Sequence, residues 1–203
     1  MARPSNTSEV AERVVDEVAV RGLLLQSGKD FPSVTTIVCG EPVHGSWWSH
    51  PQSALIHWVL EALDDHPDLT TAKLVNGKVT IVHWTLWPAL VAVGSARESW
   101  QMAKLTPLAE AVLREADRHP FRLSEFESSL AGRPSDAVRA LERKLLIHTR
   151  EVHTEHGKHS KCVRNWADFW SCEHRGPASL PSVAEAKATF EEASGGSHAK
   201  LPW

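Results

Sequence analysis

Residues 134–170, PSDAVRALERKLLIHTREVHTEHGKHSKCVRNWADFW, constrain this chain more than any other stretch. Pro134-Ser135 opens a helix whose Ala137, Val138, Leu141 and Leu145 recur at helical spacing and face inward. The chain then reads as a strand over 145–155, a tight polar turn at His156-Gly157-Lys158 and a return strand over 159–166. Trp166, Phe169 and Trp170 follow as an apolar cluster that plugs the base of the hairpin. A helix followed by a hairpin with a glycine-containing tip must bury one face of each on something upstream, and helical segments are available there.

Thr106-Pro107 caps a helix running to about residue 119, with Leu108, Val112, Leu113 and Ala116 inward. Ser124 and Glu127 have capping-box spacing and predict a short helix that Gly132 ends. The turn Gly132-Arg133-Pro134 then separates two helices in the manner of a helix-turn-helix. On the last helix the outward residues are Asp136, Arg139, Ala140, Arg143 and Lys144, with Arg139 and Arg143 four apart on one face.

The N-terminal part predicts helices over 8–25 and 51–66, and a short helix within 31–40 although its β-branched residues also suit a strand. Asn76-Gly77 between AKLV and KVTIV predicts a hairpin over 69–83 closed by a two-residue turn with positive φ at both positions. A buried apolar helix follows over 86–96, and 98–105 reads as a connection. Beyond residue 175, Gly and Pro bracket one helix, 183–193. The expected organisation is an N-terminal helical unit over 1–100, a second unit over 106–172 and a tail over 176–203.

Apolar residues make up 42% of the 203 and charged residues 23%, which is a globular composition. The net charge of −3 opposes nucleic-acid binding in general, but the charge is uneven. Residues 1–132 carry 11 Lys and Arg against 16 Asp and Glu, whereas residues 133–175 carry 9 against 6 and five of the 12 His. The three cysteines, Cys39, Cys162 and Cys172, form no C-x-x-C, which suits a reduced compartment. No secretory h-region is visible at the N-terminus, and no apolar run approaches the roughly 20 residues of a membrane span. The expectation is a cytoplasmic protein without a membrane partner.

Few motifs carry chemistry. His153, His156, His159 and Cys162 are spaced three apart and are zinc-ligand types, but the spacing is wrong for a finger and no metal or other cofactor is expected. G-x-S-x-G, the phosphate-binding G-x-x-x-x-G-K-[ST] and H-E-x-x-H are all missing. In Gly45-Ser46-Trp47-Trp48-Ser49-His50-Pro51, adjacent indoles cannot both enter one core from one face, so Trp47 and Trp48 are candidates for stacking on a base or ring. Glu41, His44 and His50 are the acid/base candidates beside them.

The run SLAGRPSDAVRALERKLLIHTREV followed by HGKHSKCV resembles a winged-helix domain. The resemblance implies an α+β, mainly helical fold: three helices plus a β-hairpin wing in the C-terminal half. A second winged-helix-like unit N-terminal to it is the extension of that reading. It also implies duplex DNA as partner. Arg139, Arg143 and Lys144 would meet the groove, and Arg150, Lys158, Lys161 and Arg164 the phosphates. With GSWWSHP upstream, the whole is similar to bacterial tandem winged-helix DNA glycosylases of the AlkZ type, which excise alkylated bases. Their catalytic motif is Gln, an apolar residue, then Gln or Asp. Here Gln26, Gln52 and Gln101 are followed by Ser27-Gly28, Ser53-Ala54 and Met102-Ala103, so no catalytic residue carries over. A DNA-binding protein, a base-excising enzyme with a site near Trp47 and Trp48, and a protein-interaction module are the three alternatives.

Overall fold

The computed structural model describes residues 2–153, 159–173, 179–195 and 199–203. The fold is α+β and mainly helical, with two three-stranded antiparallel sheets. The chain forms two compact units, Met1–Trp87 with Ala188–Leu201, and Pro88–Lys187 with Pro202–Trp203. Among the described residues no helix is long and apolar enough to cross a membrane.

The first unit begins with α1 (Thr7–Arg21), which buries Val10, Ala11, Val14 and Val18 at helical spacing. The predicted helix over 8–25 stops early because Gly22 takes φ +76° and returns its N–H to the Val18 carbonyl. A side chain there is also excluded, since a Cβ would approach Leu86 Cδ1 to 2.7 Å. Leu23–Leu25 then forms β1, buried throughout. The ambiguous 31–40 segment is helical: α2 (Val34–Cys39) is capped by Ser33, whose hydroxyl accepts from the Thr36 N–H. After a 3-10 turn, Trp47–Ser49, α3 (Ser53–Asp64) lays Ile56, Val59 and Leu63 against α1 and α2.

β2 (Leu69–Lys73) and β3 (Val79–His83) are antiparallel, and β1 pairs with the other edge of β3, giving the order β1-β3-β2. The expected two-residue turn is wider: a 3-10 turn spans Val75–Gly77, with Asn76 and Gly77 at φ 55° and 64°. Leu74 and Val75 are buried, so apolar burial takes them out of the ladder. Asn76 also holds residue 200, donating its N–H to the Lys200 carbonyl and accepting from the Lys200 N–H.

The second unit contains α4 (Trp87–Ser95) and α5 (Ser99–Met102). The predicted connection over 98–105 thus holds one helical turn, closed by a reciprocal capping box between Glu98 and Gln101. Gln101 is fully buried and donates to the Val93 and Lys144 carbonyls. In α6 (Pro107–Arg118), the Thr106 hydroxyl accepts from the Ala109 N–H, as the sequence leads one to expect. Thr106→Ala should cost ~1 kcal/mol, the usual worth of such a cap, read as a shift in the urea midpoint at constant m-value.

β4 (Phe121–Arg122) leads into a single 3-10 turn, Leu123–Glu125, where a short helix is expected. The Ser124–Glu127 capping box does not form. Ser124 Oγ accepts from Ser160 Oγ, and Phe126 packs against Phe121. Tertiary contacts thus take over the residues a helix would have needed. Next come α7 (Pro134–Arg143), β5 (His148–His153), β6 (His159–Arg164) and α8 (Trp166–Glu173), with sheet order β4-β6-β5. Ala137, Val138 and Leu141 of α7 meet Leu108, Val112 and Leu113 of α6 over Leu146, Ile147 and Val163. Trp166 and Phe169 are buried edge to face, as the sequence suggests. Finally, α9 (Val183–Ala193) buries Ala186 and Phe190.

Each unit therefore threads helix, strand, further helical segments and two strands, and orders its sheet first-third-second. This repeat is invisible residue by residue.

Candidate nucleic-acid interface

The basic residues singled out in the sequence divide into two sets. Arg139 and Arg143 stand exposed on the solvent face of α7. Arg139 pairs with Asp136 at 3.4 Å, but both side chains are more than half exposed, so the pair holds neither firmly. Arg133 is exposed at the N-cap of the same helix. Arg150 is exposed on β5, opposite Cys162.

Lys144, Lys161 and Arg164 are less exposed and hold other segments of the unit. Lys144 Nζ donates to the carbonyls of Trp100 and Ala103, both at 2.9 Å, a favourable site for a cation at the end of α5. Lys161 forms an ion pair with Glu142, a carboxylate 7% exposed that also accepts from Thr149 Oγ1 at 2.6 Å. This joins α7 to both strands of the hairpin. Arg164 is 14% exposed. Its Nε donates to His148 Nδ1 at 3.2 Å, another nitrogen meets Glu173 at 3.1 Å, and the guanidinium lies 5.0 Å from the Phe169 ring centroid. Lys158 and His156 lie outside the described residues.

His148 was not among the candidate site residues, yet it is buried in contact with Arg164. Burial, then the charges of Arg164 and Arg150, hold its pKa well below the ordinary imidazole value. A neutral ring is what the bond from Arg164 requires, since Nδ1 must accept. The signal in the sequence was one His among several in a predicted strand, which does not reveal a guanidinium 16 residues away.

His153 and His159 face each other across the hairpin, whereas Cys162 pairs with Arg150 and Arg122, three registers away. Positions 159 and 162 are an odd number of residues apart on β6 and so fall on opposite faces of the sheet. Among the described residues no group of three or more ligand side chains could hold a metal.

In the first unit, Trp47 and Trp48 stack on each other, with ring centroids 4.1 Å apart and planes 22° apart. The 3-10 turn is what lets adjacent indoles lie face to face, an arrangement neither strand nor α-helix permits. His50 Nδ1 accepts from the Gln52 N–H at 3.2 Å and lies 3.5 Å from the Cys39 thiol. Burial, then the charge of Glu41, raises the Cys39 pKa, so this thiol stays protonated rather than becoming a nucleophile. Glu41 and His44 are exposed.

No family model matches the chain, and no curated protein matches it in sequence. The solved structure of the DNA glycosylase AlkZ of Streptomyces sahachiroi is similar to it with a TM-score of 0.48 and 12% identity. The match covers 95% of this chain and 57% of that one, so the chain spans little more than half that protein's length. A likeness of that degree transfers neither residues nor activity.

Proposed function

We propose that the second unit is a winged helix that binds duplex DNA, with α7 toward the major groove and the β5–β6 hairpin along a phosphate backbone. One observation carries the reading: an amphipathic helix presents Arg139 and Arg143 to solvent directly before a hairpin whose strand carries exposed Arg150. The contacts of Glu142 with Thr149 and Lys161 support it, because they tie the hairpin to α7. Guanidinium groups suit the task, giving bidentate bonds to phosphate or to guanine edges. Lys144, Lys161 and Arg164 then act indirectly, by holding the helix and hairpin in place.

A salt titration tests this. Three phosphate contacts predict a log–log slope of about −2.7, hence roughly 40-fold weaker binding at about 200 mM than at 50 mM salt. Arg143→Glu with Arg150→Glu should lower affinity more than ~10-fold and remove about two contacts' worth of slope. Both side chains are exposed, so the variant should fold normally. A variant with unchanged affinity and slope would refute the assignment.

A further inference from the structure

In the first unit, tilted aromatic contacts extend beyond the stacked Trp47 and Trp48. His57 lies 6.0 Å from Trp48, Trp58 lies 5.4 Å from His57, and the Arg3 guanidinium sits 6.0 Å from the Trp58 ring. Exposure rises along the indole pair: Trp47 packs on the core of α1, α2 and α3, while Trp48 is 60% exposed. The turn that carries them is internally bonded. Ser49 donates twice to the Ser46 carbonyl, and the His50 N–H donates to the Trp47 carbonyl. Trp48 is thus backed by Trp47 and 60% exposed, on a turn held by its own hydrogen bonds.

We propose that Trp48 is a stacking platform for an unpaired nucleobase of single-stranded nucleic acid. A largely exposed, flat indole matches a planar heteroaromatic ring. Prolines would need a slot between two separated rings, and here that slot is closed, because Trp47 fills the space behind Trp48 at 4.1 Å. Arg3 at the far end of the strip complements a phosphate of the same strand. The platform lies in the first unit and uses none of the arginines assigned to duplex binding, so the two readings stand or fall separately.

The test uses the full chain carrying Arg143→Glu and Arg150→Glu, which silences the proposed duplex surface. Binding of fluorescent oligo(dT) is followed by anisotropy. The expected result is retained single-strand binding that Trp48→Ala weakens about 5- to 100-fold, the range of one base–aromatic stack, and that Trp48→Phe largely preserves. With one cation involved, raising salt from about 50 to 200 mM should weaken binding by less than about threefold. In the arginine-intact protein, Trp48→Ala should leave the duplex salt slope unchanged. No oligo(dT) binding, equal binding by Trp48→Ala, or binding of a proline-rich peptide in place of the oligonucleotide would each overturn the proposal. An unchanged melting midpoint for Trp48→Ala establishes that the loss is not unfolding.

Discussion

Gly94→Ala should destabilise the second unit by ~3 kcal/mol, although alanine is the better helix former by about 1 kcal/mol. Gly94 lies within α4, where a new Cβ would meet the Trp166 indole at 2.3 Å from Nε1, 2.4 Å from Cδ1 and 2.6 Å from Cε2. The indole cannot step aside cheaply. It is 2% exposed, donates to the Leu145 carbonyl at 2.7 Å, and meets Phe169 and His148 edge-on. Moving it would strand a buried N–H and a buried carbonyl, at about 1–3 kcal/mol beyond the packing strain. Leu145, which supplies that carbonyl, is itself held at φ +52°, a conformation that the indole bond helps to fix. Urea unfolding followed by circular dichroism reads the effect. The mechanism makes a second claim: in a Trp166→Phe background the smaller ring should relieve the clash, so Gly94→Ala should cost less there. A Gly94→Ala protein as stable as the parent would show that the helix does not pack against this indole.

The second large effect is acid sensitivity through His148. Its folded pKa lies below its unfolded one, so the unfolded chain binds the extra proton. The stabilising contribution of the neutral ring is complete above the unfolded value near 6.5 and is lost as pH falls below it. The slope is up to ~1.4 kcal/mol per pH unit for one group. Protonation would place a cation against the Arg164 guanidinium in a buried site and remove the acceptor that Arg164 uses. His148→Gln should flatten this part of the profile while keeping a side-chain acceptor for Arg164. Urea midpoints at neutral and mildly acidic pH, compared between parent and variant, check it. His83 adds a smaller drift of the same sign, since burial also lowers its pKa. If His148→Gln leaves the acid dependence intact, His148 is not the group responsible.

Local chemistry in the chain was enough to locate most helices and both hairpins. Thr106-Pro107 and Pro134 mark helix starts, Asn76-Gly77 marks a reversal, and the apolar spacing of α6 and α7 names their inward faces. These signals act within a few residues, where capping, φ preference and periodicity operate, so they survive without tertiary context. Two features depended on distant partners. β1 exists because β3 offers an edge to pair with, and three consecutive leucines carry no alternation that would announce a strand. The middle helix of the second unit shrank to a 3-10 turn because Ser160 and Phe121 claimed its side chains.

The candidate sites divide along the same line. Sequence spacing placed Arg139 and Arg143 together on one helix face, and tertiary structure left them in solvent. It could not show that Lys144, Lys161 and Arg164, equally basic in sequence, are turned to carbonyls, a buried carboxylate and a buried imidazole. A charge is free or committed according to what stands within about 4 Å of it, and those neighbours come from segments far apart in the chain. The indole pair follows the same logic: two adjacent Trp could be read from the sequence, but only the turn geometry and the packing of Trp47 on the core decided that they stack and leave Trp48 open.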